Sequence, residues 1–170
     1  VDWGQVLFTV NKTAAISIGA TSTIAVWDIT GSATQVAGTF ATTTGSLTGG
    51  LDALDNLTSG TLHFRPTTVQ TISAGGSRTY ELRGTVGGLI AGSNLSVSVA
   101  NPNTSILATA NFTTAAGTLG TAGNASFVWS DWSDIPDHAS SSTNTATIDW
   151  TNDYLVKTLP LSVGNKSVAF

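Results

Sequence analysis

The chain has 170 residues, enough to bury one sizeable core, and 41% of them are hydrophobic, which excludes a disordered tail. Only 9% are charged, against roughly 25% in ordinary globular domains, so Ser, Thr, Asn and Gly must build the polar surface. A net charge of −4 with six dispersed Lys and Arg excludes a basic stripe for nucleic acid, the absence of Cys excludes disulfides and thiolate metal sites, and no apolar run reaches the ~18 residues of a membrane span.

A hydroxyl-rich surface suits an extracellular or cell-surface location, and the lack of disulfides there points to bacteria or archaea. The sequence opens at Val1 without Met or signal peptide and is read as a mature or excised product.

Alternation with period two recurs along the chain and predicts half-buried strands. In chain order these cover residues 6–10, 14–18, 23–29, 35–40, 61–64, 69–72, 79–86, 95–99, 106–112, 125–129, 145–150, 154–158 and 161–170. The alternation is clearest where Tyr80, Leu82 and Val86 oppose Glu81, Arg83 and Thr85, and where Leu95, Val97 and Val99 oppose Asn94, Ser96 and Ser98. Residues 51–57 (LDALDNL) are the one helical candidate, of one or two turns. The predicted class is all-β: an antiparallel β-sandwich, Ig-like/Greek-key or jelly-roll-like, with at most one short helix. One domain spanning 1–170 is favoured over two small sandwiches divided near 87–92.

A theme of strand, Gly turn, Ser/Thr and second strand recurs at residues 16–24, 69–80 and 161–168. It is read either as convergent turn chemistry or as an internal duplication. Sheets so poor in charge have little with which to guard their edges, so either loops cover those edges or the edges pair with copies of the same chain. Residues 1–10, with Val6, Phe8 and Val10 on one face, are the first candidate donor strand, and residues 163–170 the second. The alternative is that both termini pair within their own subunit.

Residues 127–160 concentrate Trp129, Trp132 and Trp150 with Asp131, Asp134, Asp137, Asp149 and Asp153 around a Ser/Thr/Asn run. The order FVWSD, a Ser/Thr-rich loop with His138, then DWTNDYLVKTLP resembles a module of large surface proteins of candidate-phyla (Patescibacteria-type) bacteria. The stretch TISAGGSRTYELRG at residues 71–84 is similar to the strand pair that precedes that module. The resemblance covers roughly the last 100 residues. It implies a cell-surface, S-layer-like or filament-forming role and carries over no catalytic residue.

Asp131, Asp134 and Asp137, with Asp149 and Asp153 nearby, form an oxygen-rich set that either binds Ca²⁺ or caps turns beside buried Trp. Trp129 and Trp150 are read as core, Trp27 as core or sheet rim, and Trp132 and Trp3 as the tryptophans placed for exposure. An exposed Trp132 beside aspartates would serve a carbohydrate-binding adhesin, with cell-surface glycans as partners. For catalysis there is little material, since His63 and His138 cannot make a three-His site and no G-x-S-x-G or H-E-x-x-H occurs. Seven N-x-[ST] sequons, at Asn11, Asn56, Asn94, Asn103, Asn111, Asn124 and Asn165, exceed the about 3 that composition alone gives. The sequence therefore predicts a non-enzymatic, self-assembling extracellular β-sandwich, with the adhesin module as the alternative.

Overall fold

The computed structural model describes residues 1–18, 24–42, 45–46, 58–99, 127–130, 150–152 and 161–167. Their strands are β1 (Asp2–Lys12), β2 (Ser17–Ile18), β3 (Ala25–Asp28), β4 (Thr34–Val36), β5 (Gly38–Thr42), β6 (Gly45–Ser46) and β7 (Ser59–Pro66). There follow β8 (Gln70–Thr71), β9 (Tyr80–Arg83), β10 (Val86–Gly87), β11 (Asn94–Val99), β12 (Phe127–Ser130), β13 (Trp150–Asn152) and β14 (Leu161–Ser167). No helix occurs among the described residues, and every strand pair there is antiparallel. The expected all-β class is what the described residues adopt. None of its described helices could cross a membrane, there being none.

β1 organises the larger sheet because both of its edges are occupied along nearly their whole length. One edge holds β8 at Asp2 and Trp3, then β7 from Val6 to Asn11; the other holds β12 from Asp2 to Val6, then β11 from Phe8 to Lys12. Aromatic and β-branched side chains therefore line up across the sheet. Phe40, Phe64, Val6 and Phe127 form one row, and Leu62, Phe8 and Val99 the next. Such cross-strand pairs fix register, since a one-residue slip would turn the whole row outward. β5 and β6 extend this sheet beyond β7, β14 extends it beyond β11, and β13 beyond β12.

A smaller layer faces it. β3 lies between β4 and β9, while β2 pairs with β10. The registers Ile18↔Val86 and Ala25↔Arg83 pair β2 with β10 and β3 with β9 in the same antiparallel order. Ile18, Ile24, Val26 and Val36 from this layer meet Trp3, Val6, Phe8, Val10, Leu62 and Phe64 from the larger sheet in one buried cluster.

One expected strand and one copy of the strand–Gly–strand theme cross between layers. Residues 35–40 break at Ala37: β4 belongs to the small layer and β5 to the large sheet. The corner is tight, for a Cβ on Gly38 would collide with the Arg65 carbonyl oxygen and the Phe64 ring. Residues 69–80 likewise run from β8 in the large sheet, through a turn closed by Gly76 N–H to Ser73 O at 2.9 Å, into β9 of the small layer. The third copy of the strand–Gly–strand theme is one uninterrupted strand, β14, so the theme does not correspond to a single structural unit. Strands on both sides of residues 87–92 share the sheet of β1.

Candidate functional site

Between the two layers lies a cavity of about 860 Å³. Trp3, Phe8, Val97 and Phe127 line it from the large sheet, and Val26 and Leu82 from the small layer. Residues 80–84 border it one after another, including Glu81 and Arg83, whose side chains stand 47% and 44% exposed. Side chains on both faces of one strand can border one cavity only if the strand's edge is its lip. Among the described residues, β9 is therefore where the sandwich opens.

The ladder alternation says which backbone groups face that opening. Ile29 N–H donates to Thr79 O at 2.9 Å, and the register continues Trp27↔Glu81 and Ala25↔Arg83. Thr79, Glu81 and Arg83 thus turn their amides toward β3, leaving those of Tyr80 and Leu82 directed away. On that outer edge β9 has no strand partner among the described residues.

The rim is unusually charged for this chain. Glu81 is the sole glutamate in the sequence, and Arg78 and Arg83 are two of its three arginines. Arg83 reaches Glu81 at 2.7 Å and lies 4.8 Å above the Trp27 ring, covering that face of the half-buried indole. Arg78 meets Asp28 at 2.7 Å. Asp28 also accepts a hydrogen bond from Thr30 N–H at 2.9 Å, and contacts from Thr30, reinforced by Arg78, hold its carboxyl below the usual range. Thr79 N–H donates to Thr30 Oγ1 at 2.8 Å, so one local network pins the approach to β9.

Inside the mouth, Trp3 and Tyr80 pack edge to face at 4.9 Å. Trp3 Nε1 and the Tyr80 hydroxyl are buried without a hydrogen bond among the described residues. Burial raises the Tyr80 phenol; Trp3 and Arg78 lie close enough to favour its ionised form, but neither approaches with hydrogen-bond geometry. The lining described here contains no Ser, His or Cys. The arrangement can offer apolar contact inside and backbone pairing at its lip.

A second polar group lies on the opposite face of the large sheet, also out of solvent. Arg65 Nε donates to Gln5 Oε1 at 2.7 Å, with His63 beside Arg65 on the same face of β7. Both ring nitrogens of His63 are buried without a hydrogen-bond partner among the described residues. Burial, with Arg65 nearby, lowers its pKa to about 4, so the imidazole is neutral at physiological pH. Burial also lowers the Arg65 pKa. No cluster able to hold a metal occurs among the described residues.

The sequence-predicted sites are placed unevenly. Val6, Phe8 and Val10 sit in the core of their own subunit, in the intramolecular arrangement weighed above as the alternative to donation. Handing β1 to a neighbour would strip partners from both of its edges, so this fold does not favour an N-terminal donor. Residues 161–167 likewise pair with β11 of the same chain.

Trp3, expected to be exposed, is 3% exposed. The register of β12 shifts between Trp3 and Gln5, and this bulge at Gly4 turns Trp3 to the same face as Val6. Trp27 is half-buried at the rim, Trp129 packs against the core, and Trp150 contributes to β13. Asn11 and Asn94 are exposed, and Asn165 lies in β14. Asn56, Asn103, Asn111, Asn124, Trp132, His138, Asp131, Asp134, Asp137, Asp149 and Asp153 fall outside the described residues, as do the helical candidate 51–57 and the strand candidates 106–112 and 154–158.

The rim of β9 was missed because Glu81 and Arg83 read as the solvent face of an ordinary strand. The available signal was the crowding of the sole glutamate and two of three arginines into residues 78–83. No protein family, curated protein or solved structure matches this chain.

Proposed function

We propose that this chain is a non-enzymatic structural β-sandwich of an extracellular surface, associating with copies of itself by strand pairing. The observation that carries the reading is the open lip at β9, where outward-facing amides of Tyr80 and Leu82 border an apolar cavity. An unpaired edge next to apolar surface is a site where another strand gains both main-chain hydrogen bonds and side-chain burial. A surface built from hydroxyls and amides supports an extracellular setting, as do exposed sequon asparagines at 11 and 94. The C-terminal resemblance to bacterial surface modules belongs with the same reading.

Sedimentation velocity over a wide concentration range, with negative-stain microscopy of the same material, tests it. The expected result is a mass that rises with concentration above the 17.3 kDa of one chain. A single 17.3 kDa species at every concentration would overturn the proposal.

A further inference from the structure

The charges on β9 are arranged so that the strand complements itself. Its outward amides belong to Tyr80 and Leu82, and the alternation continues to Gly84; any partner strand must align its own outward amides with these. Suppose the partner is a second copy of β9, running antiparallel about a two-fold axis at Leu82. Leu82 then meets Leu82, Tyr80 meets Gly84, and Glu81 of each copy meets Arg83 of the other.

The charged pairs fall at the non-hydrogen-bonded positions, where opposed Cα atoms approach to about 4.5 Å and side chains interact most closely. Each strand already holds Arg83 against Glu81 at 2.7 Å, so two copies would close a square of alternating charges. The neighbouring registers that keep the amides aligned set Glu81 against Glu81 or Arg83 against Arg83. One register is thus attractive, and the flanking ones are repelled.

We propose that the β9 edge is a two-fold contact between copies of this chain, in the register Leu82↔Leu82 with Glu81 facing Arg83. It rests on the self-association reading above and names its contact. The pairing is isologous, each side supplying the same residues. It joins the two small layers into one sheet and sets the two cavity mouths against each other, so apolar surface bordering each lip leaves water.

Charge reversal tests the register. Glu81→Arg alone places Arg against Arg twice, and Arg83→Glu alone places Glu against Glu twice. Each single variant should self-associate roughly tenfold or more weakly than the wild type, because like charges directly opposite destabilise a strand pair. Equimolar mixing of the two should restore association as a heterodimer, and the double variant Glu81→Arg/Arg83→Glu should recover the wild-type constant. Both side chains are exposed, and far-UV circular dichroism with thermal melts checks that each variant is folded.

Variants that associate like the wild type, or singles that stay apart when mixed, would overturn this register while leaving self-association by another edge standing. A wild type that never self-associates would remove both proposals at once.

Discussion

β1 and β9 are both antiparallel strands with alternating apolar side chains, yet the fold treats them oppositely. β1 has partners along both edges, and neutral side chains on its two faces, among them Gln5, Leu7 and Phe8, are buried. β9 has one partner among the described residues, carries its charges at the surface and borders an open cavity. The contrast separates two jobs that sequence alternation alone does not distinguish. Among the described residues, the strand enclosed on both edges supplies stability, and the strand with one edge unpartnered is the one proposed to bind.

The largest expected effect breaks the enclosed region. Phe64 is 1% exposed and packs on Phe40 at 4.8 Å and Trp3 at 6.3 Å. Phe64→Ala should cost about 3–5 kcal/mol in urea unfolding, from lost burial and the cavity left behind.

Next in size is the pH response of His63. Its folded pKa is depressed from 6.5 to about 4, so as pH falls the unfolded chain takes up the proton first. Stability is complete above pH 6.5 and declines as pH falls toward 4, by roughly 3 kcal/mol in all. His63→Leu should flatten urea-derived stability between pH 6.5 and 4.

Gly38→Ala should follow at about 1–3 kcal/mol, since its methyl group has to displace the Arg65 carbonyl or the Phe64 ring at the corner between layers. Smallest of all is Asp28→Asn at the β9 rim. Only the Arg78 end of its ion pair is well exposed, and losing the carboxylate should cost no more than about 1 kcal/mol in urea unfolding.

Much of the enclosed region was legible in the sequence. The alternations Val6, Phe8, Val10 and Leu95, Val97, Val99 read directly as strands with an apolar face, and those strands form. Period two does not report a bulge, however. Trp3 reads as exposed from its terminal position, yet β1 begins at Asp2 and the shift at Gly4 sets Trp3 on the core face. Nor does it report which sheet a strand joins. The apolar pattern runs unbroken through residues 35–40, although the chain turns a corner at Ala37, because both layers bury their inner faces in the same core.

The open lip was hidden for a related reason. Side-chain alternation describes the two faces of a strand and carries no information about its edges. Only the concentration of charge at residues 78–83, in a chain otherwise so poor in it, marked that stretch as different.

Hydrogen–deuterium exchange at the amides of Tyr80 and Leu82, followed as protein concentration is raised, tests the open edge most directly. Protection that grows with concentration at these two amides, while those of β1 stay equally protected throughout, is the predicted result. Exchange at Tyr80 and Leu82 that is the same at every concentration would contradict a β9 edge closed by a second copy.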